Sequence, residues 1–286
     1  MLKLIKQQIV LIAAHEIQAP PIPTTDFTDP RIQRWPDIGL TLIHDFISES
    51  EEAAIAAAFH AVNPRTGGRK RLSQHFGHHF DYTTFSASDA HFTPVPAYIA
   101  DLLPRLPFTV QYYPPGAGIP PHVDTHSMFA EALYSLSFGR AVPIVFRMSG
   151  PNDARKIRLP KRSLAAPDTD TAPTTAITTT TTDQSPSSLL RPESEQAQEQ
   201  EHASWELLLP RRSLLLIMGP SRYGYTHRIK ARKTDVIDGR PLLREGRYSI
   251  TMRTVRRGPE VGCSCDFPGV CNTRIREELA KDGLHP

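Results

Sequence analysis

The chain has little cysteine, three residues in 286. That is too few for a disulfide scaffold and fits a reducing compartment, so a cytoplasmic and/or nuclear setting is expected. It has no run of eighteen apolar residues, so neither a transmembrane helix nor a membrane partner is expected. Met1 to Ala14 is leader-like only in part. It has no clear cleavage site and lacks the Arg and Ser of a mitochondrial presequence, so it reads as an N-terminal strand or amphipathic helix. Excess charge is small as well: the formal net charge is +3, so the whole-chain balance does not demand nucleic acid.

The distribution of charge says more than its sum. Arg65, Arg69, Lys70 and Arg71 form one basic cluster, and Arg228, Lys230, Arg232 and Lys233 form another. Both could meet phosphates; both could equally be a solvated basic face. Proline is abundant, with 27 residues. Residues 1–36 read as an extended lead-in punctuated by Pro20, Pro21, Pro23, Pro30 and Pro36. Leu40 to Ile47 reads as a strand. Ser48 then opens a helix through S-E-S-E-E-A-A-I, with a cap, early acids and strong helix formers. Val95 to Leu103 reads as a short helix, and Phe108 to Tyr113, Leu133 to Phe138 and Val142 to Met148 as strands. Pro143 belongs at a strand start or edge, because it cannot donate to a ladder. Residues 153–204 are rich in Thr, Ser, Pro, Glu and Gln, cannot supply a core, and are expected to be a disordered insert between two strands.

The chain is organised around Q-Y-Y-P-P-G-A-G-I-P-P-H-V-D-T-H, Gln111 to His126. Residues two apart on a strand share a face, so His122 and Asp124 can offer an imidazole and a carboxylate to one metal. A distant His would complete a two-His-one-carboxylate facial triad with positions left open on Fe(II). H-x-D alone is weak, since twelve His make about one chance match, and His79-Phe80-Asp81 is a second. What separates His122 is its downstream half. The apolar run Ser213 to Met218 ends at Gly219-Pro220, and S-R-Y-G-Y-T-H then places His227 as a third ligand. Further on, R-Y-S-I-T-M-R alternates, with Arg247, Ser249, Thr251 and Arg253 on one face. An inward Arg on a barrel strand needs an anion, and a guanidinium fork suits a dicarboxylate co-substrate.

With these residues in order, the chain resembles the AlkB family of Fe(II)/2-oxoglutarate dioxygenases. The likeness rests on His122, Asp124, His227, Arg247 and Arg253, and on Tyr113 nine residues before the iron His, with Gly116 in place. Gln111 stands where the family has Asn. I-P-P-H-V-D-T-H-S, L-P-R-R-S-L-L and C-S-C-D-F-P-G-V-C look like the AlkB homologue 8 subgroup, which acts on the wobble uridine of tRNA. The likeness spans roughly Phe76 to Cys271.

The resemblance implies a mainly β, α+β fold: a double-stranded β-helix (jelly-roll) with flanking helices, over residues 37–258, followed by a Cys-rich tail at 259–286. It implies Fe(II), 2-oxoglutarate and O2 as cofactors. Fe(II) would lie on His122, Asp124 and His227. 2-Oxoglutarate would meet Gln111, Tyr113, Arg247 and Arg253, with Arg253 closing the second side of its pocket. It also implies a lid from His75, Phe76, His78, His79, Phe80 and Tyr82, where flat rings could stack on a base; the plainer reading of that stretch is a packed aromatic hairpin with surface His.

Cys263, Cys265 and Cys271 form C-x-C-x5-C, a zinc clamp that wants a fourth ligand, and His126 is the candidate. The subgroup resemblance implies the same structural Zn; the alternative is three free thiols. The substrate expected is RNA, most of all a modified or alkylated base of tRNA, with a separate methyltransferase or RNA-binding partner to supply what the subgroup carries elsewhere. A protein-directed lysine demethylase or hydroxylase, and a catalytically silent zinc-containing binding protein, stay open as alternatives.

Overall fold

The computed structural model describes residues 24–25, 28–63, 71–81, 86–100, 108–150 and 204–281. The leader-like stretch at 1–14, Arg65, Arg69, Lys70, Tyr82 and the insert up to residue 203 lie outside the described residues.

In chain order the first strands are β1 (Thr24–Thr25), β2 (Ile32–Trp35) and β3 (Leu40–Ile43), so part of the expected lead-in is itself sheet. Helix α1 (Glu49–Val62) starts at the expected cap, where the Ser48 side chain accepts from the Glu51 amide and Glu51 reaches back to the Ser48 amide. A hairpin follows, β4 (Leu72–Asp81) and β5 (Ser86–Thr93), then a single turn of helix, α2 (Ala97–Ala100). Next are β6 (Phe108–Tyr113), β7 (Ile119–His122), β8 (Phe129–Gly139) and β9 (Val142–Met148). After the insert, β10 (Ser204–Leu209) begins at Ser204, one residue earlier than expected. Then come β11 (Ser213–Ile217), α3 (Gly219–Tyr223), β12 (Tyr225–Ile229), β13 (Thr234–Ile237), β14 (Arg240–Leu243), β15 (Arg247–Val255) and α4 (Asn272–Lys281).

These strands form two main sheets. The larger has the order β1-β2-β3-β11-β8-β15-β6-β4-β5, the smaller β10-β9-β12-β7, and β13-β14 is a separate hairpin. Strands distant in sequence sit side by side, as β8 does between β11 and β15. This crossed antiparallel order is the jelly-roll, and the expected mainly β class holds. β9 and β10 pair antiparallel from Val142↔Leu209 to Arg147↔Ser204, so the strands on either side of the insert are ladder partners. Pro143 lies near the start of β9, opposite Leu208 of β10 and before the ladder with β12 begins at Val145, so only one of its two edges has a neighbour there.

Alternation on the strands sorts two cores. Trp35, Leu40, Leu42, Phe146, Trp205 and Leu207 pack together on the inside of the roll. On the opposite face of the larger sheet, Val110, Leu136, Phe138, Tyr248, Ile250 and Met252 pack with Ile55 and Phe59 of α1. The helix therefore supports the sheet from behind. Phe138 stacks on Tyr248 with centroids 4.9 Å apart and planes 8° apart, a pair contributing about 0.5–1.5 kcal/mol beyond its burial. With Tyr248, Ile250 and Met252 facing the helix, β15 turns Arg247, Ser249 and Thr251 to the interior, as its alternation predicts.

Candidate active site

β7 ends at His122 and pairs with β12 through His122↔His227. The two imidazoles are thus direct cross-strand neighbours, with centroids 4.2 Å apart. Asp124 lies beyond the end of β7, on an irregular connection. Strand alternation, expected from the sequence to bring Asp124 beside His122, therefore does not do so; the loop turns the carboxylate back. One donor atom each from His122, Asp124 and His227 lies within 4.8 Å of the others. Asp124 Oδ2 is 3.6 Å from His227 Nε2, in side chains 9 % and 12 % exposed.

The protonation states suit a cation. The His122 Nδ1 lies 2.9 Å from the Pro120 carbonyl. A carbonyl only accepts, so Nδ1 carries a hydrogen there and Nε2 is the nitrogen left for a metal. Burial, with the neighbouring His122, pushes His227 down to about 3, so its imidazole is neutral. Burial alone would raise the Asp124 carboxyl, but the Arg253 guanidinium opposes it and the group is held well below the carboxylate range. A carboxylate and two imidazoles are the donor set of a facial triad.

Arg253 donates to Asp124 Oδ1 through Nε at 2.9 Å and Nη2 at 2.7 Å. It therefore orients the candidate metal carboxylate, whereas the sequence suggested only the second side of a 2-oxoglutarate pocket. Arg247 differs. It is 4 % exposed, its Nε donates to Ser137 Oγ at 2.9 Å, and its guanidinium lies 5.2 Å from the Tyr113 ring centroid. Its Nη1 is buried and has no partner among the described residues, and burial lowers its pKa to about 10. A buried guanidinium with an orphaned N–H is costly unless an anion completes it. Tyr113 donates its hydroxyl to Gln111 Oε1, and Gln111 Nε2 reaches Ser73 Oγ at 3.5 Å. Arg71 approaches the Tyr113 ring to 5.9 Å, a contact that sequence reasoning missed because Arg71 looked like one more surface cation.

The residues expected in the lid divide. His75 lies on β4 with Nδ1 3.2 Å from Thr109 Oγ1. Phe76 packs against the helix-side core, as alternation along β4 requires. His78 meets Phe92 edge-on at 5.1 Å. For His79 and Phe80 only the backbone, in β4, is described. The second basic cluster is partly internal: Arg232 and Lys230 reach Glu206, 2 % exposed, at 3.7 and 4.0 Å, and Arg232 also binds Asp235.

A second donor cluster is the expected one. His126, Cys263, Cys265 and Cys271 offer atoms within 4.8 Å of one another, with Cys265 Sγ 3.4 Å from His126 Nδ1. Tetrahedral zinc, with Zn–S near 2.3 Å and Zn–N near 2.0–2.1 Å, separates S from N by about 3.5 Å. Burial pushes His126 down to about 3 and Cys265 up to about 12. Packing three thiols with a neutral imidazole is the chemistry of a site that gains from a cation. Among the described residues these are the two such clusters.

The model of the 2OG-Fe(II) oxygenase superfamily matches residues 39–253. The chain belongs to that superfamily: it is an oxidoreductase, a dioxygenase that uses Fe(II), 2-oxoglutarate and O2. It is similar to the alkylated DNA repair protein ALKBH8 homolog of Arabidopsis thaliana, 28 % identical over 254 residues, covering 82 % of this chain and 63 % of that protein. It is also similar to the tRNA (carboxymethyluridine(34)-5-O)-methyltransferase alkbh8 of Xenopus tropicalis, 27 % identical over 271 residues, covering 82 % of this chain and 34 % of that protein. Within the superfamily it is similar to these ALKBH8 proteins over part of their length. The chain spans less than two thirds of either relative's length. Among solved structures, OsALKBH1 aligns with 14 % identity and a TM-score of 0.46, over 78 % of this chain and 99 % of that one.

Proposed function

We propose that this oxygenase acts on RNA, with a modified or alkylated base of tRNA as substrate. His122, Asp124 and His227 would hold Fe(II), and Arg247 the distal carboxylate of 2-oxoglutarate. The observation that carries the co-substrate assignment is the buried Arg247, whose Nη1 has no hydrogen-bond partner among the described residues and which shares the polar face of β15 with Arg253, bonded to Asp124. A dicarboxylate supplies what that guanidinium lacks, and the metal trio supplies a place for its other end.

When bound, Fe(II) and 2-oxoglutarate turn O2 into an oxidant that hydroxylates a C–H bond, leaving succinate and CO2. If that carbon sits on nitrogen, the product loses formaldehyde; if it sits on carbon, the hydroxyl stays. The chain's own residues set the geometry. The Pro120 carbonyl fixes the His122 tautomer, and Arg253 fixes the Asp124 carboxylate. Tyr113, held by Gln111 and flanked by Arg247 and Arg71, walls the co-substrate pocket. The Cys263, Cys265, Cys271 and His126 set would hold structural zinc, closed by four protein donors with no position left for chemistry.

Support for an RNA substrate comes from the ALKBH8 relatives, of which the Xenopus protein is named for a tRNA uridine, and from Arg71 beside the pocket wall. The test is succinate formation from 2-oxoglutarate with Fe(II), ascorbate and O2, with added tRNA, added DNA or neither, in wild type and Asp124→Ala. Stimulation by tRNA that vanishes in the variant supports the reading, and mass spectrometry of the nucleosides then identifies the atom oxidised. Iron bound but no response to tRNA turns the search to lysine-containing protein substrates.

A further inference from the structure

The connection between β7 and β8, residues 123–128, carries a ligand of each candidate metal: Asp124 for the first and His126 for the second. It has no regular structure, yet His126, Ser127 and Met128 are 1 %, 6 % and 6 % exposed. Buried backbone groups outside helices and sheets must find other partners. Here they find them in two places.

The first is Arg222 in α3. It is 1 % exposed, and its Nη1 and Nη2 donate to the carbonyls of Asp124 at 2.9 Å and Thr125 at 2.8 Å. The guanidinium also lies 4.8 Å over the Tyr223 ring, which meets the His126 ring edge-on at 5.0 Å. The second is the cysteine tail. Asn272 Oδ1 accepts from the amides of both His126 and Ser127 at 3.1 Å, and its Nδ2 donates to Ser127 Oγ at 2.7 Å. The Gly262 amide donates to Ser127 O at 3.1 Å, and the Arg256 amide to Met128 O at 2.8 Å. Gly262 and Asn272 are immediate neighbours of the first and last tail cysteines. The tail also seats on α3: the Phe267 ring lies 2.2 Å from where a Cβ on Gly224 would stand, so only glycine admits it.

We infer that the cysteine–histidine centre is a positioning device for the oxygenase site. A cation there and a divalent cation at His122, Asp124 and His227 raise each other's affinity, through Asn272 and Arg222. The inference rests on the metal assignments proposed above and goes beyond them. Its physical basis is that Asp124 has no strand to hold it. Closing the tail on a cation fixes Gly262 and Asn272, and these fix the segment from which Asp124 projects. By linkage, whatever one metal gains from the other is returned by the same factor. Loss of outer partners of a metal ligand typically costs 10–100-fold in affinity.

The test uses the full chain and Mn(II), which prefers the oxygen and nitrogen donors and competes poorly for thiolates. Mn(II) affinity is measured with zinc bound and after zinc is stripped by a thiol-site chelator. Zinc affinity is measured by chelator competition with and without Mn(II). The expected result is an Mn(II) affinity about tenfold or more higher with zinc present, an equal factor in the reverse experiment, and a factor near one in Asn272→Ala. That variant alters neither ligand set, and if it fails to fold, the two wild-type titrations decide alone. Both metals bound, each indifferent to the other, would overturn the coupling while leaving the assignments. No zinc in the purified protein, or Mn(II) uptake unchanged in His122→Ala, would overturn the assignments and the coupling with them.

Discussion

The two donor clusters sit two residues apart on one loop and are built on opposite plans. The first draws His122 and His227 from adjacent strands and adds one carboxylate, itself gripped by Arg253. Three donors leave positions open. The second takes one His from the loop and three thiols from a tail, with a buried Cys271 at its base. Four donors close the shell. Open sites keep room for reactants and closed ones contribute folding energy. The difference teaches that one stretch of irregular chain can serve both ends when its backbone is held by others.

Mutating a donor in each cluster should separate them most sharply. Asp124→Ala should abolish turnover, a loss beyond the roughly 100-fold upper end for an outer partner, while circular dichroism shows a fold retained. Cys271→Ser should cost stability first: zinc content falls, and about 4 kcal/mol goes with it, a drop in Tm of about 8–16 °C for a domain of this size. If Cys271→Ser melts like wild type, the closed cluster is not structural and the contrast fails.

Smaller effects refine the same contrast. Arg247→Met should raise the KM for 2-oxoglutarate by about 10–100-fold, the worth of about 1.5–3 kcal/mol in charge-assisted hydrogen bonds, with zinc content unchanged. An unaltered KM would leave the orphaned guanidinium without a function. Glu206 is the control, a buried acid that belongs to neither cluster. Burial raises its pKa above the unfolded value near 4.5, with Arg232 and Lys230 opposing. The folded state then binds more protons, so wild-type stability falls relative to Glu206→Gln as pH rises from about 4.5 through the folded value. Denaturant melts of the pair across that range check the sign; a difference that shrinks with rising pH would mean the cations win.

Much of this was readable in the chain. α1 announces itself by Ser48 and Glu51, β15 by strict alternation, and His122, Asp124 and His227 by spacing and company. The second cluster was readable because cysteines are scarce and crowded. What escaped was whatever depends on a loop's path. Asp124 was assigned to a strand that stops at His122, and Phe76 was grouped with its aromatic neighbours although alternation turns it to the other core. Arg222 carries no pattern at all: an arginine in the short turn of helix between β11 and β12 gains meaning only when two carbonyls from residues 124 and 125 arrive beside it. Asn272 was hidden for the same reason, since backbone capping by a side chain leaves no periodic trace.

One feature of the smaller sheet bears on how this chain can change. β9 and β10 are ladder partners down to Arg147↔Ser204, so the strands on either side of the intervening segment are neighbours whatever its length. Each doubling of a flexible connection between fixed ends costs only about 0.6 kcal/mol. Stability therefore exerts almost no selection on how long that connection is, and the same hairpin could accept a two-residue turn or an entire grafted module.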